Sequence, residues 1–150
     1  MVPHESKPII LVVEDNAPLR RLIVRMLAQG GFATLATGRA ADGLTMVRER
    51  QGAVDLAILD IVMPGMSGLD LATDFDREYP NLKILYISGY VDSIAADVLS
   101  RRAPECMLLK PFTGRALLDR VRLLLGIPAR RDADQEGRVS DPPIRNGTSG

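Results

Sequence analysis

The chain has little of the chemistry that many enzymes and metal proteins use. Its 150 residues include one cysteine, Cys106, which excludes an internal disulfide and argues against cysteine-based zinc sites. The only histidine, His4, lies in a polar N-terminal arm, and this removes most chemistry in which histidine is the base, nucleophile or metal ligand. The net charge is zero, so nothing in the charge balance indicates a nucleic acid or an anionic membrane as partner.

Long apolar runs and lysines are also scarce. No run approaches the roughly 18 residues of a membrane span, and no signal peptide is visible, so we predict a cytoplasmic protein. Of the 19 basic residues, 16 are arginine, and the three lysines are Lys7, Lys83 and Lys110. Because lysine is so rare here, each lysine is a candidate for a specific role.

Short apolar runs alternate with amphipathic segments along most of the chain. Five runs bounded by turn residues predict buried strands, at about 9–13, 32–36, 56–59, 83–87 and 106–109. Apolar residues at helical spacing follow each run and predict helices at about 17–29, 39–50, 67–79, 92–102 and 113–125. This alternation predicts an α/β fold, a doubly wound parallel sheet of five strands in the flavodoxin-like order 2-1-3-4-5 with five helices.

The pattern also predicts the domain organisation. Residues 1–8 form a short arm, and residues 9–126 form one folded domain. Residues 127–150 lack apolar periodicity and are predicted to be a disordered polar tail, too short for a second domain.

Polar side chains stand at the carboxyl ends of four predicted strands. They are Glu14 and Asp15 after the first strand, Asp60 after the third, Ser88 after the fourth and Lys110 after the fifth. In the predicted topology all of these positions share one edge of the sheet, and the acids lie at the switch point where ligands bind.

Three neighbouring carboxylates repel one another and raise each other's pKa, and a divalent cation removes that conflict. Oxygen ligands suit Mg²⁺, which typically takes one or two carboxylates directly and keeps waters. We expect Asp15 and Asp60 to be direct ligands and Glu14 to act through water. The backbone carbonyl of Val62 is a further candidate ligand.

Such an edge suits phosphoryl transfer. Asp60 is ionised at neutral pH and can attack a phosphoryl group without a separate base. Lys110 offers a compact positive charge to a phosphate oxygen, and the hydroxyl of Ser88 can donate to another.

The same residues resemble the receiver domains of two-component response regulators, the CheY-like family. The matching motifs are Glu14-Asp15, Leu59-Asp60 with Met63-Pro64-Gly65-Met66-Ser67-Gly68, Ser88-Gly89, and Lys110-Pro111-Phe112, within about residues 8–126. The resemblance implies that Asp60 accepts a phosphoryl group from a phosphohistidine on a sensor histidine kinase or phosphotransfer protein, and that Mg²⁺ is required. It also implies that phosphorylation draws Ser88 toward the phosphate and repacks the surface of the fourth predicted helix, the fifth strand and the fifth helix.

Three positions depart from the pattern of the family. Many receivers have an aromatic residue three positions before the lysine, and this chain has Met107, so the usual rotamer switch is not expected. Tyr90, two residues after Ser88, is a candidate to take over part of that role. Val62 is apolar where several receivers are polar, and with Tyr90 it would shield an acyl phosphate from water. We therefore predict slow self-hydrolysis of the acyl phosphate. The absence of the switch aromatic also makes the chain look like receivers of hybrid kinases or single-domain regulators.

Other interpretations remain open at this stage. Asp60 alone is compatible with an ordinary turn, and Glu14-Asp15 with a favourable contact to a helix dipole. An aspartate-nucleophile phosphatase or phosphotransferase is the main alternative, although Val62 stands where its second acid is needed. A flavin- or nucleotide-binding domain is a third interpretation, although the loop between the first strand and the first helix is not glycine-rich.

We predict a phosphoacceptor rather than an enzyme with its own substrate. No DNA-binding segment follows the last helix, so we expect output through contact with a target protein. Homodimerisation through the surface of the fourth predicted helix, the fifth strand and the fifth helix stays an open alternative. The kinase, the signal and the target are not identified by the sequence. Met1 and the short arm slightly favour a stand-alone regulator over a receiver from a hybrid kinase.

Overall fold

Five parallel strands form a single sheet in the computed structural model, which describes residues 6–89, 97 and 101–128. The strands are β1 (Ile9–Val13), β2 (Ala33–Thr37), β3 (Leu56–Asp60), β4 (Lys83–Ser88) and β5 (Met107–Leu109). Their spatial order is β2-β1-β3-β4-β5, which confirms the predicted topology and the switch point between β1 and β3.

Four α-helices lie in the described part of the chain, in the positions that the apolar spacing predicts. They are α1 (Ala17–Gln29), α2 (Ala40–Glu49), α3 (Gly68–Glu78) and α4 (Gly114–Leu125), and a 3-10 turn spans Pro104–Cys106. Most of the helix predicted over 92–102 falls outside the described residues, but Asp97 and Arg101 are described and both are helical. Among the described helices, none is long and apolar enough to cross a membrane.

Side chains fix where three of these helices begin. The side chain of Asn16 accepts a hydrogen bond from Leu19 N at the start of α1, and Thr113 accepts one from Ala116 N at the start of α4. Ser67 forms a reciprocal capping box with Asp70 at the start of α3. These caps satisfy backbone N–H groups that the first helical turn leaves without partners, so they set where each loop from the sheet ends.

Alternate residues of each strand enter two separate cores, because side chains point to opposite faces of a sheet. On one face, Leu11, Val13 and Leu59 pack with side chains of α2 and α3. On the other, Ile10, Val12, Ile58 and Ile87 pack with side chains of α1 and α4. The central strands are therefore covered by apolar side chains on both faces, and the polar site residues lie at their ends.

Arg120 joins α4 to the edge strand β5. Its Nη1 atom donates to the carbonyl oxygen of Met107 at 2.6 Å and to that of Glu105 at 3.1 Å. The carbonyl of Pro104 lies at 3.4 Å from the same atom. The last helix is thus held against the strand that carries Lys110 at its end.

The predicted arm and tail are described only in part. Residues 1–5, which include His4, and residues 129–150 fall outside the described residues, as does Tyr90. The assignment of 127–150 as disordered therefore stays a prediction, and so do the outer bounds of the domain.

Candidate functional site

The carboxyl ends of four strands meet at one edge of the sheet, as the sequence predicts. Asp60 is the last residue of β3 and Ser88 the last residue of β4, while Glu14 directly follows β1. Lys110 follows β5, and its backbone N–H donates to the carbonyl oxygen of Ser88 at 2.7 Å. Parallel pairing therefore brings residues from distant parts of the chain into one group.

Lys110 connects the acids of β1 and β3. Its Nζ atom lies 3.3 Å from Oδ2 of Asp60 and 3.2 Å from Oε2 of Glu14. Burial by itself would lower the pKa of Lys110, but the neighbouring charges of Asp60 and Glu14 outweigh burial and raise that pKa. Lys110 therefore carries its positive charge at any physiological pH.

Three carboxylates form a cluster at this edge. Glu14, Asp15 and Asp60 each offer one oxygen, and these oxygens lie within 4.8 Å of one another. Glu14 and Asp60 are buried, whereas Asp15 is exposed. The cluster brings together all three acids that the sequence places at the switch point.

Glu14 shows that the cluster is electrostatically unsatisfied. Burial, and then the charge of Asp60, raise its pKa from 4.5 to about 7, against the opposing effect of Lys110. Its Oε2 atom is fully buried and accepts no hydrogen bond from the described residues, whereas Oε1 accepts from Asn16 N at 3.3 Å and from Lys110 Nζ at 3.4 Å. The ion pair with Lys110 offsets only part of the cost of burying this carboxylate, because the pKa of Glu14 stays raised, and a divalent cation beside it would offset more.

The donor set fits a hard divalent cation such as Mg²⁺. All of its side-chain ligands are carboxylate oxygens, and one of the three acids faces solvent, so that waters can complete the coordination. Glu14, Asp15 and Asp60 are the residues that would hold the ion. The excess negative charge of three acids around one lysine is the charge that such an ion balances.

Gly68 allows the loop after β3 to close over Asp60. A Cβ atom on Gly68 would lie 2.1 Å from the carbonyl oxygen of Asp60, so no side chain fits there. The side chain of Asp60 also accepts a hydrogen bond from Val62 N at 3.1 Å through Oδ1, while the side chain of Val62 is 61% exposed. The sequence presents Gly68 only as part of a motif, and its contact with Asp60 becomes visible in three dimensions.

Ser88 and Met107 lie on the strands that continue from the acidic cluster toward the edge of the sheet. Ser88 is 2% exposed, and Met107 is buried opposite Tyr86 in the β4–β5 pairing. The guanidinium carbon of Arg102 lies 5.3 Å from the centre of the Tyr86 ring, and Arg102 also pairs with Asp76 of α3. An aromatic ring is thus present beside Met107, but it comes from β4.

Comparison with known families is consistent with this geometry. The sequence model of the response regulator receiver domain matches residues 10–122. The chain therefore belongs to the response regulator receiver family, whose members are signalling domains of two-component systems. Phosphorylation and Mg²⁺ binding at an acidic pocket are general features of the family, and response regulators work with sensor histidine kinases.

Individual relatives contain this domain in longer proteins. The chain is 31% identical over 116 residues to a sensor kinase, CckA, of Brucella abortus, covering 77% of this chain and 12% of the relative. It is 32% identical over 130 residues to the DNA-binding response regulator MtrA of Mycolicibacterium paratuberculosis, covering 87% of this chain and 55% of the relative. The chain thus spans about half or less of these two proteins.

A solved structure shows the same fold. A CheY-like response regulator receiver domain protein from Methanospirillum hungatei superimposes with a TM-score of 0.73 at 23% identity. The match covers 88% of this chain and 100% of the other. At this level of identity the similarity establishes the fold, and the roles of individual residues must be argued from their geometry.

Proposed function

We propose that Asp60 accepts a phosphoryl group from a phosphohistidine of a sensor histidine kinase or phosphotransfer protein. The observation that carries this proposal is the position of the Asp60 carboxylate, which is nearly buried, 3.3 Å from the ammonium group of Lys110 and beside two further acids. A purely structural Asp–Lys pair has no need of two more carboxylates, which only add repulsion.

Each residue at the edge has a distinct role in the proposed reaction. An oxygen of Asp60 attacks phosphorus, the bond from phosphorus to the histidine nitrogen breaks, and an acyl phosphate remains on Asp60. Lys110 stays protonated and attracts an oxygen of the transferred group, and Ser88 donates its hydroxyl to another. The placement of these side chains at the ends of β3, β4 and β5 supports these roles.

The proposed cofactor is Mg²⁺, held by Glu14, Asp15, Asp60 and the backbone carbonyl of Val62. When bound, it neutralises negative charge on the transferring phosphoryl oxygens. Asp15 is the exposed acid of the cluster, which supports its direct ligation of an ion that keeps waters, and for Glu14 we propose a water-mediated contact.

The proposed output is contact with another protein. We assign the folded receiver to residues 9–126, and its signalling surface to β5, α4 and the segment that includes Asp97 and Arg101. A target protein or a second copy of this chain would bind there. The DNA-binding output in the name of the mycobacterial relative describes that protein, which is longer than this chain.

The proposed switch differs from the aromatic switch of many receivers. Met107 is buried and offers no aromatic ring at the usual position, so Ser88 and Tyr90 are proposed to relay the phosphorylation state. Val62 is proposed to limit the access of water to the acyl phosphate. The exposed position of its side chain two residues after the end of β3 supports this role.

Acetyl phosphate with Mg²⁺ tests the proposal. We expect the intact protein to gain the mass of one phosphoryl group, and we expect Asp60→Asn to remain unmodified. Asp55→Asn is a matched control, because Asp55 lies at the other end of β3, where its carboxylate accepts a hydrogen bond from Ile9 N at 2.7 Å. Multiple turnover of phosphate without a stable adduct would instead identify an aspartate-nucleophile phosphatase.

A further inference from the structure

The peptide that joins Glu14 to Asp15 is held by a side chain of α1. Nη1 of Arg20 donates to the carbonyl oxygen of Glu14 at 2.8 Å. The N–H of Glu14 donates to the carbonyl oxygen of Thr37 at 3.1 Å. Both backbone groups of Glu14 are therefore fixed, one by the neighbouring strand and one by Arg20.

Fixing this carbonyl fixes the direction of Asp15. A peptide unit is planar, so the position of the Glu14 oxygen determines the plane from which the Cα atom of Asp15 continues. Asp15 is the exposed member of the acidic cluster, and no hydrogen bond holds its carboxylate in the described part of the chain. The orientation of that carboxylate therefore depends on the backbone that Arg20 holds.

Gly38 provides the space that Arg20 occupies. A Cβ atom on Gly38 would lie 2.7 Å from Nη1 of Arg20 and 3.7 Å from the carbonyl oxygen of Glu14. Gly38 does not have a left-handed backbone, so alanine is compatible with the conformation of the loop. The methyl group of such an alanine would displace the guanidinium end of the flexible Arg20 side chain and leave the backbone in place.

We propose that Arg20 is a positioning residue for the cation site, that it aims Asp15 by holding the Glu14 carbonyl, and that Gly38 is required to leave it room. This inference rests on the proposed function, because it presupposes that Asp15 is a Mg²⁺ ligand. Mg²⁺ demands nearly ideal octahedral geometry, so a small rotation of one carboxylate weakens its binding.

Titration calorimetry of the unphosphorylated full chain with Mg²⁺ alone tests this role without any phosphoryl transfer. We expect Arg20→Ala to weaken Mg²⁺ binding by about tenfold, the lower end of the range typical of residues that orient metal ligands. We expect Arg20→Lys to recover part of the affinity, since one donor can still reach the carbonyl. Arg25→Ala is the control, because Arg25 is an exposed arginine on the same helix.

Gly38→Ala tests the mechanism independently of the charge of Arg20. We expect it to weaken Mg²⁺ binding to a similar extent, with little change in melting temperature, because it displaces only the guanidinium group. We expect the double variant to bind Mg²⁺ no more weakly than Arg20→Ala alone, since both changes remove the same hydrogen bond.

The outcomes separate this inference from the proposed function. A wild-type chain that binds no Mg²⁺ would contradict the proposed cation site itself. A wild-type chain that binds Mg²⁺, with unchanged affinity in Arg20→Ala and Gly38→Ala, would overturn only the positioning role. Losses that multiply in the double variant would also overturn it, because they would show two independent effects.

Discussion

The ammonium group of Lys110 lies 3.3 Å from Oδ2 of Asp60, although 50 residues separate them in the chain. The contact forms because β4 pairs with β5 on one side and with β3 on the other. At the end of β5, the N–H of Lys110 donates to the carbonyl oxygen of Ser88, the last residue of β4. Strand pairing thus places one positive charge where a phosphoryl group on Asp60 would carry its oxygens.

Removal of this charge tests its contribution to phosphoryl transfer. We expect Lys110→Met to slow phosphorylation by acetyl phosphate about 10²- to 10³-fold, because a fixed charge at the transferring group is lost. Mass spectrometry of the intact protein against time measures the rate. Lys83→Met is the control, because Lys83 is an exposed lysine at the opposite end of β4. Equal rates in the two variants would contradict the role of Lys110.

The raised pKa of Glu14 predicts how stability depends on pH without metal. Between pH 4.5 and about 7 the folded chain holds a proton on Glu14 that the unfolded chain has released. The free energy of unfolding therefore falls as pH rises through this window, by at most about 3 kcal/mol. Urea unfolding in EDTA at pH 5 and pH 8 measures the change. Glu14→Gln should flatten this dependence, whereas Glu49→Gln, on the exposed end of α2, should not.

Bound Mg²⁺ should oppose the loss of stability that rising pH causes through Glu14. An ion that binds the ionised cluster competes with the proton on Glu14, so its affinity should rise as pH increases from about 5 to about 8. Saturating Mg²⁺ should then stabilise the chain more at pH 8 than at pH 5, as measured by the shift in melting temperature. A shift of equal size at both pH values would contradict the coupling between Glu14 and the cation.

Two glycines that begin helices provide a matched test of the loop after β3. Gly68→Ala would place Cβ against the carbonyl oxygen of Asp60 and force the backbone to move, at a cost of at least about 1–3 kcal/mol. Gly114→Ala would meet only the flexible side chain of Met26, whose nearest atom is Cγ at 3.4 Å, and should change stability by less than about 0.5 kcal/mol. Chemical denaturation measures both. Similar losses in the two variants would show that the contact of Gly68 with Asp60 is unimportant.

Val62 should affect the lifetime of the acyl phosphate. Its apolar side chain is exposed two residues after Asp60, and asparagine there would present groups that can orient a water. We expect Val62→Asn to shorten the lifetime of the phosphorylated chain and Val62→Ile to preserve it. Loss of the phosphoryl mass over time after removal of acetyl phosphate measures this lifetime. An unchanged lifetime in Val62→Asn would contradict shielding by Val62.

The sheet and the cluster were predictable because their signals are local. Runs such as Ile9–Val13 are entirely apolar, and each is followed by polar residues, so strand type, order and the shared edge follow from general rules of α/β folds. The grouping of Glu14, Asp15 and Asp60 was predictable for the same reason. The roles of these residues in transfer stay predictions until phosphorylation is measured.

The supporting contacts were not predictable, because they join side chains to backbone atoms far away in sequence or across a loop. Arg20 looks like any arginine of an amphipathic helix until its guanidinium group meets the Glu14 carbonyl in the space left by Gly38. The approach of Gly68 to Asp60 depends on the path of the whole loop. Neither contact leaves a periodic signal in the sequence.

The hydrogen bond from Arg120 to Met107 has a consequence for behaviour at high concentration. The N–H of Lys110 faces β4, so by alternation the carbonyl of Met107 faces away from the sheet, on the open side of β5. An open strand side can recruit strands of other molecules and begin aggregation. Because Arg120 donates to that carbonyl, the side of β5 that pairs with no other strand among the described residues is a poor template, and Arg120→Ala should aggregate sooner on heating than Arg25→Ala.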